Sequence, residues 1–246
     1  MEPVFHQELT VSDIHVDCFG RMKLSMVLYL AQEIAGNHCQ LLNADYDTLK
    51  KHRLFWAISR HKVQITRLPR SGETIHLETW PMPTTRVAYP RSMVAYDAQG
   101  NEMFRSISLW VLMDLDSRKM VLPGQSPIAV EGTLRGMELA SPAGLVPKPL
   151  ANCHSRTVCY SDLDRNGHMN NTRYMDWVDD LLPASFHREH PAREITVCYL
   201  SEAREGEEMD ITWSLSDGPC LQVEACRTQT EDPKQQTKIF TAQVLF

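Results

Sequence analysis

The chain has 246 residues, room for one large domain or two smaller ones, and its 43% hydrophobic content is that of a packed globular protein. A formal charge of −6 argues against nucleic acid as the main partner, and no apolar run approaches the ~20 residues that span a bilayer. Seven scattered cysteines include no pair at the two-residue spacing of a zinc or redox site, and reduced thiols fit a cytoplasmic setting.

Taken in order, residues 4–17 alternate like a strand and end in a polar turn at 17–21. Ser25 can cap a helix from 26 to about 38, with Leu28, Ala31, Ala35 and His38 on one face and Gly36 either weakening its end or permitting close packing. Residues 45–52 read as a second, short helix. Strands are expected at 55–67, 73–80, 87–96 and 103–115, with turns at 69–72, 97–100 and 117–119. Pro90 inside the third of these suggests an edge, a bulge or a bend. Residues 123–151 are rich in Pro and Gly and read as a linker carrying a short helix near 133–139.

The pattern then restarts. Strand-like 158–162 precedes a polar loop and a helix reaching Leu182, with strands at 195–200, 209–215, 221–228 and 238–246 and turns at 205–207 and Asp232-Pro233. Ser12-Asp13 echoes Ser161-Asp162, and Gly72-Glu73…Thr79-Trp80 echoes Gly206-Glu207…Thr212-Trp213. Each half is one long helix and an antiparallel sheet whose apolar face the helix can cover, an α+β arrangement of the hotdog kind repeated in tandem. The expected division is 1–122, a linker at 123–150, and 151–246.

The stretch 160–183 carries the chemistry. Asp162, Asp164, Asn166, Gly167, His168, Asn170 and Asn171 are turn formers, and Tyr174, Trp177, Val178 and Leu181 form one helical face. Asn170 or Asn171 is the expected N-cap and Pro183 the stop. A carboxylate, an amide and an imidazole thus sit where free N–H groups favour developing negative charge. From these residues alone a hydrated turn and a reaction site are both open.

The run Ser161-Asp-Leu-Asp-Arg-Asn-Gly-His-Met-Asn-Asn-Thr-Arg-Tyr174 resembles the signature of the acyl-acyl-carrier-protein (acyl-ACP) thioesterases, roughly D-L-D-x-N-x-H-V/M-N-N-x-x-Y. Trp56-Ala-Ile-Ser-Arg60, Gly72-Glu-Thr-Ile-His-Leu-Glu-Thr-Trp80 and Ser106-Ile-Ser-Leu-Trp-Val-Leu-Met-Asp114 resemble further segments of that family, in family order. The resemblance implies a double hotdog, with acyl-chain recognition in the first domain and catalysis in the second. It implies hydrolysis of fatty acyl-ACP, release of free fatty acid and an end to chain elongation. It places the family's catalytic Asp, Asn and His on Asp164, Asn166 and His168, and its Glu, in a Y-x-x-E-C context, on Glu202. The Cys of that context is Ala203 here, which favours attack by water over a cysteine nucleophile. The partner implied is acyl carrier protein bearing its acyl chain on phosphopantetheine, and homodimerisation is left open. No cofactor and no metal are called for, and His187 and His190 read as a solvated loop rather than a zinc site. With neither a signal peptide nor a plant-type transit extension evident, the expectation is a bacterial-type cytoplasmic enzyme. An acidic carrier would need a basic patch, for which Arg60, Lys62, Arg86, Arg91, Arg165 and Arg173 are candidates. The other readings are a general hotdog acyl-CoA thioesterase, a hotdog hydratase (disfavoured by the position of His168 and the lack of Pro) and a non-catalytic acyl-binding module.

Overall fold

The computed structural model describes residues 3–146, 150–228 and 237–246, so the turn expected at Asp232-Pro233 lies outside the described residues. The chain forms two compact units, Met1–Pro142 and Ala143–Phe246.

In the first unit, strand β1 (Phe5–Thr10) leads through a 3-10 turn at Asp13–His15 into helix α1 (Leu24–Leu41). Short helix α2 (Tyr46–Lys51) follows, then β2 (Leu54–Ile65), β3 (Thr74–Pro81), β4 (Tyr89–Tyr96), β5 (Glu102–Asp114) and the short β6 (Met120–Val121). The strands pair antiparallel in the order β1-β3-β4-β5-β2, with β6 also against β5. Helix α1 buries Leu24, Val27, Leu28, Ala31, Ile34 and Ala35, a stripe at three- and four-residue steps, and each large aliphatic side chain on it contributes about 1.5–3 kcal/mol. Its N-cap is Lys23, not Ser25, which lies inside the helix and is buried. Asp45, placed inside the short helix expected at 45–52, is instead the N-cap of α2 and accepts the Thr48 N–H at 2.8 Å.

Pro90 marks neither an edge nor a bulge, since β4 lies between β3 and β5 and its register shift falls at Ala95/Tyr96. Proline is tolerated as the second residue of the strand because Pro90 serves the ladder through its carbonyl, which accepts the Met82 N–H at 2.8 Å.

Residues 126–142 form no helix near 133–139 and instead run extended over the first unit. Thr133 N–H donates to the Pro81 carbonyl at 2.9 Å, Trp80 Nε1–H to Glu138 Oε1 at 3.1 Å, and Arg60 to the Pro142 carbonyl at 3.0 Å. The Arg135 guanidinium lies 4.7 Å over the Trp80 ring. At Gly132 a Cβ would land on the Met82 carbonyl and the Pro83 nitrogen, so only glycine lets the backbones approach this closely.

In the second unit, β7 (Asn152–Thr157) precedes a 3-10 turn at Tyr160–Asp162, so the strand lies earlier than 158–162. Helix α3 (Arg173–Asp179), helix α4 (Ala184–Glu189) and strands β8 (Glu194–Tyr199), β9 (Glu208–Ser216), β10 (Cys220–Arg227) and β11 (Lys238–Leu245) complete it. The antiparallel order is β8-β11-β10-β9-β7. Tyr174 of α3 packs on Phe240 and Tyr199, at ring separations of 4.8 and 5.9 Å. The helix expected up to Leu182 ends earlier, at Asp179, and a further short helix, α4, follows Pro183 where a solvated loop was expected. His187 and His190 belong to α4 and its C-terminal cap, where their rings contact the carbonyls of Asp179 (2.9 Å) and Phe186 (3.1 Å).

Two glycines separate local propensity from packing. Gly36 is exposed inside α1 with open space at its Cβ position, so the close packing considered from the sequence is absent. Gly36→Ala is therefore expected to stabilise by about 0.5–1 kcal/mol and raise Tm by a few degrees. Gly132→Ala should instead destabilise, by about 1–3 kcal/mol as for an overpacked site. Thermal melts of the two variants check both signs.

Candidate active site

The site grows from one turn. Asp164 Oδ1 accepts the N–H groups of Asn166 (2.8 Å) and His168 (3.2 Å). The Asp164 N–H donates to the His168 carbonyl at 2.7 Å, and Gly167 N–H to the Asp164 carbonyl at 3.1 Å. Gly167 sits at φ 75°, a left-handed conformation that glycine adopts without strain. Leu163 and Met169 bridge the two ends of the loop. Asp162 is buried and holds the base of the loop, accepting Cys159 N–H (3.0 Å) and Arg173 Nε–H (3.4 Å). Asn170 accepts both the N–H and the hydroxyl of Thr172 at 3.0 Å, and its carbonyl takes the Arg173 N–H at 2.9 Å. Thr172 is the formal N-cap of α3, but Asn170 supplies the capping oxygen. Two of the N–H groups expected to face developing negative charge are thus already bonded within the turn.

The opposite wall follows β8. The Leu200 and Ser201 N–H groups share the Ile239 carbonyl (2.8 and 3.2 Å), and the Ala203 carbonyl accepts the Met169 N–H at 2.8 Å. This last bond ties the loop holding His168 to the segment holding Glu202. His168 Nε2 and Glu202 Oε2 stand 3.3 Å apart, with 17% of the histidine side chain and 43% of the carboxylate side chain exposed. The pair therefore lies at the surface of a fixed frame, open to substrate and to water.

Of the four residues singled out by sequence, the structure brings His168 and Glu202 into contact and gives the other two different surroundings. Asp164 is committed to the turn, and the exposed Asn166 amide meets Asp164 Oδ2 at 3.4 Å. Ala203 has no exposed surface, so the position where the family pattern has Cys faces the core.

Sequence reading missed Arg227. Its Nη2 donates to the Glu202 carbonyl at 2.9 Å and pairs with Glu207 Oε2 at 2.9 Å. Glu207 had stood out only as part of the Gly206-Glu207 echo. Burial first, then the carboxylates of Glu207 and Glu202, push the Tyr174 phenol up, so it stays protonated beneath the site. Among the candidates for a basic patch, Arg91 is buried, Arg60 bonds the Pro142 carbonyl, and Arg173 pairs with Asp162 and Asp176.

The first unit repeats the turn with other side chains. Asp17 Oδ1 accepts the N–H groups of Phe19 (2.8 Å) and Arg21 (3.0 Å), Gly20 has φ 71°, and Val16 bridges Met22. Met22 N–H bonds the Pro69 carbonyl as Met169 bonds Ala203. By this matching Asp17, Phe19, Arg21 and Leu68 stand where Asp164, Asn166, His168 and Glu202 stand in the second unit. Asp13 therefore corresponds to Tyr160 rather than Asp162, so the Ser-Asp echo was out of register, whereas Gly72-Glu73 and Gly206-Glu207 do correspond. The Thr-Trp echo is displaced by one residue, because Thr79 and Trp213 occupy equivalent ladder positions.

Comparisons with known proteins agree with this arrangement. The model of the acyl-ACP thioesterase N-terminal domain matches residues 2–122, and that of the C-terminal domain matches residues 148–243. The chain is 25% identical over 236 residues to oleoyl-acyl carrier protein thioesterase 1, chloroplastic, of Arabidopsis thaliana, covering 84% of this chain and 62% of that protein. It is 24% identical over 217 residues to dodecanoyl-[acyl-carrier-protein] hydrolase, chloroplastic, of Cinnamomum camphora, covering 81% and 56% respectively. The chain thus spans less than two thirds of the length of these relatives. The crystal structure of an acyl-ACP thioesterase from Bacteroides thetaiotaomicron superposes with a TM-score of 0.86 at 22% identity, covering 99% of this chain and 98% of that one. The 12:0-ACP thioesterase from Umbellularia californica superposes with a TM-score of 0.82 at 21% identity, covering 100% and 97%. These likenesses establish the α+β, hotdog-type fold. With both of its halves matched by the paired domain models, the chain belongs to the acyl-ACP thioesterase family.

Proposed function

We propose that this chain hydrolyses the thioester of a fatty acyl group carried on acyl carrier protein, releasing the free fatty acid and ending chain elongation. The observation that carries the reading is the His168–Glu202 pair at 3.3 Å, on a frame built from the family signature. The relatives named above act, by their names, on oleoyl and dodecanoyl groups of such carriers. The seven cysteines all stand as free thiols, which fits a reducing compartment, and we carry the cytoplasm as part of this reading. Among the described residues no helix is long and apolar enough to cross a membrane.

In this mechanism Glu202 takes a proton from water, and the hydroxide adds to the thioester carbonyl. The tetrahedral intermediate collapses with cleavage of the C–S bond, and the proton held by Glu202 passes to the leaving thiolate. His168 orients the carboxylate through its Nε2 contact and turns the other face of its ring to the substrate. Asp164 holds the loop on which Asn166 and His168 ride, and Asn166 is the amide within reach of the reacting water. Arg227 fixes the main chain of Glu202 from behind.

Three sets of variants test these roles, assayed on acyl-ACP and, in parallel, on acyl-CoA. Glu202→Gln keeps the shape and removes the base, so kcat should fall by about 10²–10⁴-fold, while Glu205→Gln in the same exposed segment should leave it near normal. Ala203→Cys should neither raise the rate nor trap an acyl-enzyme, because that side chain faces inward. Wild-type turnover by Glu202→Gln with its fold intact would remove Glu202 from the mechanism.

Asp164→Asn retains an oxygen for the two N–H groups and should cost only a few-fold in rate. Asp164→Ala leaves those donors to water and should lower stability by about 0.5–1.5 kcal/mol. An Asp164→Asn variant as inactive as Glu202→Gln would make Asp164 a reacting group rather than the keeper of the turn.

Arg227→Met removes the grip on the Glu202 carbonyl. The expected result is a drop of about tenfold in kcat with KM little changed, the signature of a misplaced catalytic group. Arg227→Lys should recover part of the loss. Stopped-assay kinetics beside thermal melts separate this effect from simple destabilisation.

A further inference from the structure

The first unit carries a row of polar side chains inside its core. The ladder sets Arg91 of β4 opposite Ser108 of β5, and Ser108 opposite His61 of β2. Residues directly opposed across a ladder point to the same face, so the three form one line on one side of the sheet. All three are buried; His61 has no exposed surface and Arg91 has 6%. Arg91 points toward α1, where its Nη1 lies 3.1 Å from His38 Nδ1 and 3.4 Å from Thr79 Oγ1, and its Nη2 lies 3.8 Å from Cys39 Sγ.

None of these partners brings a negative charge. Burial pushes the Cys39 thiol up, and among the described residues no carboxylate pairs with Arg91. His61 is in the same condition: among the described residues neither ring nitrogen has a hydrogen-bond partner, and burial pushes its pKa down to about 3, so it is a neutral ring offering one donor and one acceptor. A buried charge without a counter-charge and a buried imidazole without a partner are both costly, and native cores rarely keep either.

The second unit shows that the architecture does not require them. Leu77, Ala95, Phe104 and Ile65 line up across the first sheet as Ile211, Ala225, Phe240 and Tyr199 do across the second. By that register the positions of Arg91, Ser108 and His61 are held in the second unit by Leu221, Val244 and Ile195, all buried aliphatics. The C-terminal turn of α1 offsets only about half a charge at Arg91. It does nothing for His61, two strands away at about 10 Å.

We propose that the Arg91–Ser108–His61 row is a buried binding site for a carboxylate carried on an aliphatic chain. The carboxylate supplies the missing counter-charge, and the guanidinium meets it with a planar fork of donors. His61 offers a further donor, whereas the Ser108 hydroxyl donates to the Arg91 carbonyl at 3.5 Å and accepts the Trp110 indole N–H at 2.8 Å, and Val63 and Met93, on the same face, offer apolar surface to the chain. Two molecules share this chemistry: a released fatty acid, and an acyl chain with a second carboxylate at its far end. The proposal rests on the thioesterase reading only for the aliphatic chain, and its first test needs no turnover.

Binding of decanoate and of decanol to the full chain is measured by calorimetry, for wild type and for Arg91→Leu and His61→Ile. Wild type should bind decanoate saturably and prefer it to decanol. Loss of a charge-assisted hydrogen bond should weaken decanoate by about 10–100-fold in Arg91→Leu, with a smaller loss in His61→Ile and decanol unchanged in both. Each variant adopts the residue type of its counterpart in the second unit, so their melting temperatures should equal or exceed that of wild type. Equal affinity for decanoate and decanol in wild type, no decanoate binding at all, or wild-type decanoate affinity in Arg91→Leu would overturn the proposal; the first two need no variant to fold.

Kinetics then separate the sources. If kcat/KM favours an ω-carboxyacyl thioester over the plain acyl thioester in wild type but not in Arg91→Leu, the ligand is the acyl chain itself. Product inhibition by decanoate that Arg91→Leu abolishes, without that preference, identifies the free acid. Carboxylate-selective binding in a chain that hydrolyses no thioester supports this site while removing the thioesterase reading.

Discussion

A single carboxylate accepting the N–H groups two and four residues ahead of it sets the geometry on which the rest of the site depends. Asp164 makes these bonds to Asn166 and His168, and Gly167 between them takes the left-handed conformation that closes the loop. The closed loop presents Met169 N–H to the Ala203 carbonyl, and that contact sets the His168 end of the loop against the Glu202 segment. The imidazole–carboxylate distance is thus fixed by main-chain hydrogen bonds rather than by the side chains that meet. This is what preorganisation asks of a reaction site: the groups that must be accurate are mounted on parts that have few alternatives.

The duplicated unit separates what the turn needs from what the chemistry needs. Asp17 makes the same bonds as Asp164, so the aspartate belongs to the turn. The positions of Asn166, His168 and Glu202 are filled by Phe19, Arg21 and Leu68, which no longer form an imidazole–carboxylate pair. A second comparison points the same way. Glu73 and Glu207 both hold an arginine and a local N–H, but Arg67 turns its second contact to Asp97, whereas Arg227 turns its own to the Glu202 carbonyl. The grip on the backbone of Glu202 is confined to the unit that has a glutamate there to position.

Much of this was legible in the chain because it is written in local chemistry. The short helix near 45–52, the strand periodicity, the Asx-rich loop and the choice of His168 and Glu202 as candidate site residues follow from residue types at short spacing or from the family signature. What was not legible depends on partners remote in sequence. The apolar period from Tyr174 to Leu181 reads as a helix running to Leu182, yet α3 ends at Asp179 and Leu182 is buried beyond it; α4 follows Pro183 and buries no residue, so no apolar stripe announced it. Residues 133–139 have helix-compatible composition, yet Arg135 and Glu138 engage Glu78 and Trp80, and the extended chain that allows this wins over local propensity. Arg91 reads from sequence as a surface charge, since arginine is seldom buried without a carboxylate.

That last misreading bears on how the two halves of the fold have diverged. A buried aliphatic row such as Leu221, Val244 and Ile195 stabilises by packing alone and tolerates change among residues of similar volume. The row Arg91, Ser108 and His61 cannot be reached from it by neutral exchange, because each polar group enters a site where water no longer solvates it. Stability therefore gives no reason for the polar row, and hydrogen bonding within the unit supplies only part of one, since among the described residues His61 has no partner and Arg91 has only neutral ones. The first unit lacks the imidazole–carboxylate pair that makes the second a candidate for catalysis and carries in its core polar side chains that the second does not. A fold that keeps its frame through duplication can change its inner face in this way only if something outside the chain supplies the missing acceptor.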